Sequence, residues 1–357
     1  MSRTVAVVGG GYGGIAVAKA LDEDADVVLV DPREAFVHAA GALRALVRPD
    51  WADHVFFPYD RLLRRGRIVR DRATGLDAGG IALASGGRVD ADHVVLATGS
   101  DYPFPAKHDA PTTAAALDRL RLAHKELTGA RRVLIAGAGP VGLELAGEIK
   151  AVWPDKHVII TDPAPAPLPG VISEVRDRLH ALLDDLGVEL LTGTTVRPPT
   201  EPGVLAPFTA DGVTADLWYR AHGARPNTAW LAGITTPAGL VPVTGTLEVA
   251  GHDGLYAIGD ITDVPEDKRA GAATRHAAVV AANILARLRG EPPAATYTPG
   301  PPAILLPLGP ATGVGQLPGP DGPVPAPVEQ VVQYKAADLM SGRFAELFDA
   351  PVTPPGR

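Results

Sequence analysis

Residues Thr4–Val8 form an apolar, β-branched run that ends in Gly9-Gly10-Gly11-Tyr12-Gly13-Gly14, and the same grammar returns 128 residues later. In the first copy the turn reads G-x-G-x-x-G and leads into a helical stretch, Ile15–Leu21. A second apolar run, Val27–Val30, then ends at Asp31, 22 residues after Gly9. In the second copy Arg132–Ala136 is the strand, Gly137-Ala138-Gly139-Pro140-Val141-Gly142 the turn and Leu143–Ala151 the helix. Val158–Thr161 returns to Asp162, 25 residues after Gly137. Strand, glycine turn, helix, strand and terminal acid make up the βαβ unit that cradles a dinucleotide. Gly9 and Gly137 permit the tight turn, Gly11 and Gly139 let backbone approach a pyrophosphate, and Gly14 and Gly142 let the helix pack close to its sheet. The helix N-terminus offers unpaired N–H groups and a positive dipole end to phosphates. Each terminal acid can accept hydrogen bonds from a ribose diol. One glycine turn is a weak signal; two complete units predict an α/β chain with two Rossmann-like dinucleotide-binding domains.

Composition narrows the chemistry. The chain of 357 residues has no cysteine, which excludes a disulfide framework, a thiol nucleophile, an iron–sulfur cluster and a dithiol redox centre. A net charge of −8 provides no field to hold nucleic acid, and no basic docking patch stands out. The histidines show no zinc-protease spacing and no G-x-S-x-G elbow is present. The N-terminus has no leader pattern, and the two long charge-free stretches, Pro226–Leu247 and Thr298–Pro320, are broken by Pro and Gly. Neither suits a bilayer-spanning helix. The expectation is a cytoplasmic protein with no transmembrane segment, open to peripheral membrane contact. Fifteen of the 35 prolines lie from Pro292 onward, marking a change of architecture there.

Two further segments set the chain apart from a dehydrogenase with one such domain. Val94–Ser100 is an apolar strand running through Ala97 into Thr98-Gly99. Thr246–Asp260 reads as a strand pair whose last member, Leu255–Ile258, ends in Gly259-Asp260. Gly259 allows close backbone approach, and Asp260 can accept hydrogen bonds from hydroxyls in a sparsely hydrated cleft. A helix is expected to start near Ala270.

These segments resemble FAD-dependent pyridine-nucleotide oxidoreductases, in particular the subgroup of ferroptosis-suppressor and apoptosis-inducing-factor-2-like flavoproteins, and more distantly type II NADH dehydrogenases. The likeness covers Val7–Leu21, Phe36–Val47, Val95–Lys107, Gly137–Val158 and Leu255–Lys268. Its most subgroup-specific parts are Thr296–Gly319 and Val331–Phe344. It implies a glutathione-reductase-like arrangement: an FAD domain from residues 1–110 and 224–293, an NAD(P)H domain inserted at 111–223, and a small C-terminal domain, 294–357, beside the flavin.

The resemblance also implies site residues. Gly9, Gly10, Gly11, Tyr12, Gly13 and Gly14 would meet the FAD pyrophosphate, and Asp31 the adenosine ribose. Arg44 would contact FAD, with a surface arginine as its alternative. Ala73 would offer backbone to the adenine, Ala97-Thr98-Gly99 would form the crossover between domains, and Gly259-Asp260 would hold the ribitol. The helix after Gly-Asp would aim its N-terminus at the flavin C2 carbonyl. Gly137, Gly139 and Gly142 match the nicotinamide-dinucleotide turn. Gly223 lies where the NAD domain's third strand rejoins the FAD domain. Glu144 would reach the nicotinamide side, and Lys335 would lie near the isoalloxazine; an ordinary surface glutamate and a solvated lysine are the alternatives. His38 and His276 are candidates for a proton shuttle, against structural roles. Gly271 stands where some relatives carry an aromatic residue, and His222 replaces a more usual Thr or Ser. Asp162, with no Lys or Arg before Arg176, points to NADH over NADPH. The implied reaction passes a hydride from NADH to FAD and electrons to a quinone, the run Ala303–Leu308 and Val314–Leu317 either lining a flat-ring pocket or packing a core. The competing expectations are a reductase for an iron–sulfur or haem protein and a non-catalytic NADH-responsive redox sensor.

Overall fold

The computed structural model describes residues 3–77 and 79–350. Five short, largely apolar runs assemble into one parallel sheet in the order Leu255–Ala257, His93–Leu96, Thr4–Val8, Asp26–Val30, Arg67–Val69. In register, Val5 pairs with Val27 on one side and with His93 on the other. Near-continuous apolar strands of this kind belong in parallel sheets covered on both faces. The helix Tyr12–Leu21 covers one face and packs along the long helix Ala270–Leu288.

A second parallel sheet repeats the scheme in the order Val188–Thr192, His157–Asp162, Arg132–Ala136, Leu217–Arg220, with the helix Pro140–Val152 on it. Both central strands start and end where the sequence predicts. The second helix begins at Pro140, where a missing N–H costs little, and the first begins earlier than expected, at Tyr12, because the last residues of its glycine turn are already helical. The strand leading to Gly223 is the fourth of its sheet in chain order, not the third; it lies beside Arg132–Ala136. The expected partner strand before Leu255 reduces to isolated bridges, Val243 to Val249 and Glu248 to Tyr256.

Between the sheets the chain crosses at an antiparallel pair, Ser100–Asp101 with Arg225–Pro226. The helix Thr113–Gly129 follows the outgoing crossing, its first turn capped by Thr112 Oγ1 accepting from Ala115 N–H. The proline-rich end forms an antiparallel sheet, Ile304–Pro307, Gly313–Gly319 and Gly322–Pro325, and then a π-helical turn, Val332–Ala336. Leu306, Leu308 and Val314 are buried in the core shared with Leu143, Ala146 and Ile149. A Cβ on Gly147 would fall 2.3 Å from Leu308 Cα, so the helix Pro140–Val152 docks directly on this sheet. Core packing is therefore what these apolar residues do. Among the described residues no helix is long and apolar enough to cross a membrane.

One buried imidazole makes a stability test. His108 lies between the rings of Phe56 and Phe104, and neither of its nitrogens has a partner. Burial pulls its pKa down to about 4. The folded state thus refuses a proton that the unfolded chain accepts below its ordinary value near 6.5. Stability from this site is lost as pH falls from about 6.5 to about 4. His108→Phe removes the unpaired polar atoms and is expected to stabilise the fold by ~1 kcal/mol at pH 7 and by more at pH 5. Thermal unfolding of both proteins across that range measures it; an unchanged acid slope in the variant would show that another group sets it.

Candidate functional site

The two cradles share one glycine geometry. Gly9 and Gly137 take φ +106° and +123°, which side chains rarely adopt. A Cβ on Gly9 would meet Ala97 O at 2.4 Å, and one on Gly137 would meet Ala221 O at 2.5 Å. The third glycines close the turn: a Cβ on Gly14 would lie 1.8 Å from Gly9 O, and one on Gly142 would lie 1.9 Å from Gly137 O. Gly10 is required by Tyr59, whose hydroxyl donates to Gly10 O at 2.8 Å and would collide with a Cβ there.

Gly11 and Gly139 differ from all of these. Their φ values are ordinary, −79° and −77°, and a Cβ on either would meet nothing within 4 Å. No contact inside the protein demands glycine at these two helix N-caps. The space beyond them is open at the point where backbone N–H groups and the positive end of a helix converge, which suits a pyrophosphate.

The terminal acids hold the turns. Asp31 Oδ2 accepts from Gly10 N–H at 2.7 Å, and Asp162 Oδ2 accepts from Ala138 N–H at 2.7 Å. Asp31 is further clamped by Arg33, whose Nε and Nη2 donate to its two oxygens at 3.0 Å each. Asp162 has no such cation: its other oxygen accepts from Ala164 N–H, and Arg176 is turned onto the carbonyls of Pro167, Leu168 and Val171. His222 is exposed, and partial desolvation together with the nearby Arg220 charge lowers its pKa.

At the Gly-Asp turn, Asp260 Oδ2 accepts from Ser100 Oγ at 2.5 Å, and Lys107 Nζ lies 3.6 Å away. Lys107 also donates to Ser100 Oγ at 3.0 Å, and desolvation lowers its pKa. Thr98 Oγ1 donates to Asn227 O, stitching the two crossing segments beside Gly99. Ala73 is buried at the start of the strand Ala73–Asp77, next to the sheet edge. Gly271 is exposed and faces Arg275.

Glu144 and Lys335 meet. Lys335 Nζ, on the π-helical turn, donates to Glu144 Oε1 at 2.6 Å and to Leu305 O at 3.1 Å, and both side chains are largely buried. Neither is the solvated group of the alternative reading.

Arg44 corrects one of its expectations. It is fully buried, so it is no surface arginine, and four of its five N–H donors are engaged inside the protein. Nε and Nη2 donate to Glu148, Nη2 also to Ala336 O, and Nη1 to Ala337 O, while the guanidinium lies 4.8 Å over the Trp51 ring. Burial pushes the Glu148 carboxyl up in pKa against the pull of this guanidinium. The hydroxyl of Tyr12 also turns inward, donating to His38 Nδ1 at 3.0 Å and accepting from Ala40 N–H.

His38 Nε2 donates to Leu339 O at 2.8 Å, and burial lowers the ring's pKa to about 4. His276 has both nitrogens engaged, with Gly259 N–H and Glu266. Both histidines are struts. Tyr59, Lys107, Glu148 and Glu266 escape a reading of the sequence, since each acts through partners elsewhere in the chain, and Arg33 escapes it although its partner, Asp31, is only two residues away. The structure also exposes Arg61, Arg64, Arg65, Arg67, Arg70 and Arg72 along one edge of the first sheet. That edge adjoins Asp31, whose N–H bonds Val69 O, and not the Glu144–Lys335 end.

The architecture is shared with solved proteins. The sulfide:quinone oxidoreductase of Aquifex aeolicus superposes with a TM-score of 0.77 at 18% identity, covering 99% of this chain and 93% of its own. NDH2 of Plasmodium falciparum, solved with NADH, gives 0.72 at 13% identity and covers 98% of both chains. In sequence, ferroptosis suppressor protein 1 of Taeniopygia guttata is 34% identical over 340 residues, 89% of each chain. The family model for pyridine nucleotide-disulphide oxidoreductases matches residues 3–282, the stretch that holds both cradles and the Gly-Asp turn. Although it has no cysteine, the chain belongs to the pyridine nucleotide-disulphide oxidoreductases and is an FAD- and pyridine-nucleotide-dependent enzyme.

Proposed function

We propose that this protein is an NADH:quinone oxidoreductase, with FAD in the first cradle and NADH in the second. The observation that carries the reading is the pair of N-cap glycines, Gly11 and Gly139, whose ordinary φ and open surroundings leave room for a phosphate against backbone N–H groups in each cradle. When bound, FAD supplies the hydride-accepting and electron-passing chemistry. In this reading Gly9–Gly14 and Asp31 hold its diphosphate and adenosine end, Ala73 and Ala97-Thr98-Gly99 line its path, and Gly259-Asp260 holds the ribitol. Gly137, Gly139, Gly142 and Gly223 shape the NADH site, within the domain division 1–110 plus 224–293, 111–223 and 294–357. The remaining task of the protein is orientation. Glu144, one turn into the NADH-domain helix, and Lys335, reaching across from the C-terminal segment, fix each other where the two rings would meet. With no thiol pair, electrons pass directly to an external acceptor. A quinone is supported by the likeness to the Aquifex enzyme, whose name includes that acceptor, and by the position of the arginine edge away from Glu144–Lys335.

Coenzyme choice follows from Asp162. A 2′-phosphate about 4 Å from this carboxylate would feel roughly 1–4 kcal/mol of repulsion per unit charge at effective dielectrics of about 80 to 20. NADH is expected to be favoured by about tenfold to a thousandfold in kcat/KM, and Asp162→Ala to narrow that ratio. Equal values for NADH and NADPH in the wild type would show that Asp162 does not read the ribose.

The test of the whole reading is anaerobic. The yellow protein should bleach on adding NADH and recover its colour fastest with a quinone. Faster recovery with a ferredoxin would favour a protein acceptor, slow recovery with every acceptor a sensor, and failure to take up FAD would remove the reading altogether.

A further inference from the structure

Behind the Gly-Asp turn lies a closed chain of hydrogen bonds with no counterpart in the second cradle. Gly259 N–H donates to His276 Nδ1 at 3.0 Å, and His276 Nε2 lies 2.8 Å from Glu266 Oε1. The other carboxylate oxygen, Oε2, accepts from Tyr297 Oη at 2.7 Å, and Arg275 stands 3.6 Å from it. The Tyr297 ring meets the imidazole edge-on at 4.2 Å between centroids. His276 is 1% exposed and the Glu266 side chain 10%.

The proton positions in this chain follow from chemistry. A backbone amide can only donate, so Nδ1 must carry the lone pair and Nε2 the hydrogen. Glu266, an acceptor, fits that tautomer and disfavours the other, which would set N–H against N–H at Gly259. The carbonyl of Gly259 is held as well, by Thr262 Oγ1 donating at 3.0 Å. Both backbone groups of the residue before Asp260 are therefore fixed from behind, at a glycine with φ +73°. Partners one shell behind a ligand commonly set its orientation in this way.

We propose that Glu266 is a positioning residue for flavin binding: by fixing the His276 tautomer it holds the Gly259–Asp260 turn in the form that receives the ribityl chain. This rests on the reading that FAD occupies the first cradle. Glu266→Leu leaves the imidazole free to take the other tautomer, and His276→Phe removes the acceptor. Both are expected to weaken FAD binding by about tenfold to a hundredfold, by analogy with the loss of other partners one shell behind a ligand. Glu266→Gln keeps an acceptor for Nε2–H, and the amide oxygen of His276→Asn can replace Nδ1; both should recover most of the affinity.

The experiment titrates refolded or deflavinated protein with FAD, following flavin fluorescence. It is joined to nitrogen NMR of isotope-labelled histidine, which reports the tautomer directly. The expected result is an Nε2–H imidazole in the wild type, a mixed tautomer in Glu266→Leu, and weakened binding that Glu266→Gln restores. Wild-type affinity in Glu266→Leu, an Nδ1–H or doubly protonated ring in the wild type, or Glu266→Gln as weak as Glu266→Leu would each overturn the proposal. If the wild type itself takes up no FAD, the flavin reading falls and the proposal with it, whatever the tautomer shows.

Discussion

Gly11→Val is expected to abolish FAD binding while the chain still folds, and Gly139→Val to do the same to NADH binding while FAD stays in place. The side chain has room in the free protein at both sites, and neither φ resists it. A valine at a helix N-cap costs the fold about 1 kcal/mol. In the cradle it occupies the point where a diphosphate would accept backbone hydrogen bonds. Losing even three charge-assisted hydrogen bonds of about 1.5–3 kcal/mol each weakens binding by more than a thousandfold. The contrast with Gly14→Val decides the matter, since its Cβ would drive into Gly9 O and unfold the unit. Far-ultraviolet circular dichroism, flavin content and NADH titration separate the three variants. If Gly11→Val retained its yellow colour with unchanged affinity, the first cradle would not be the flavin site.

The second large effect concerns Arg44 and Glu148. Removing either partner alone, as Arg44→Met or Glu148→Leu, leaves a buried charge without its mate and should destabilise the protein by about 3–5 kcal/mol. The double variant replaces both charges with apolar groups in one place and should regain most of that loss. Its recovery will be incomplete, because Arg44 also donates to Ala336 O and Ala337 O, which then lose a donor. Denaturant unfolding of the four proteins gives the coupling as a double-mutant cycle. Additive losses would show that the pair does not act as a unit.

What could be read from the sequence was local. Thr4–Val8 and Arg132–Ala136 are legible to the residue because an apolar run stopped by glycine leaves a strand few other endings. Asp31 and Asp162 are legible because each binds an amide of its own unit's turn. The clamps are illegible for the opposite reason. Glu148 looks like any glutamate of a helix until Arg44, 104 residues earlier in the chain, is folded against it. Glu144 and Lys335 are separated by 191 residues, and only a resemblance singled them out; the ion pair itself required the fold. The run around Leu306 shows where composition misleads, since an apolar stretch suits a ring-binding pocket and a packed interior equally until Gly147 is seen against Leu308.

Glu144 and Glu148 sit one turn apart on a single helix, and their cations come from the far end of the chain and from the helix Ala39–Val47 respectively. The carbonyls of Ala336 and Ala337 then return the far end to Arg44, completing a triangle of three chain segments that lie far apart in sequence. A triangle has no free angle. The three segments are expected to move as one body, so scattering profiles recorded with and without NADH should superimpose.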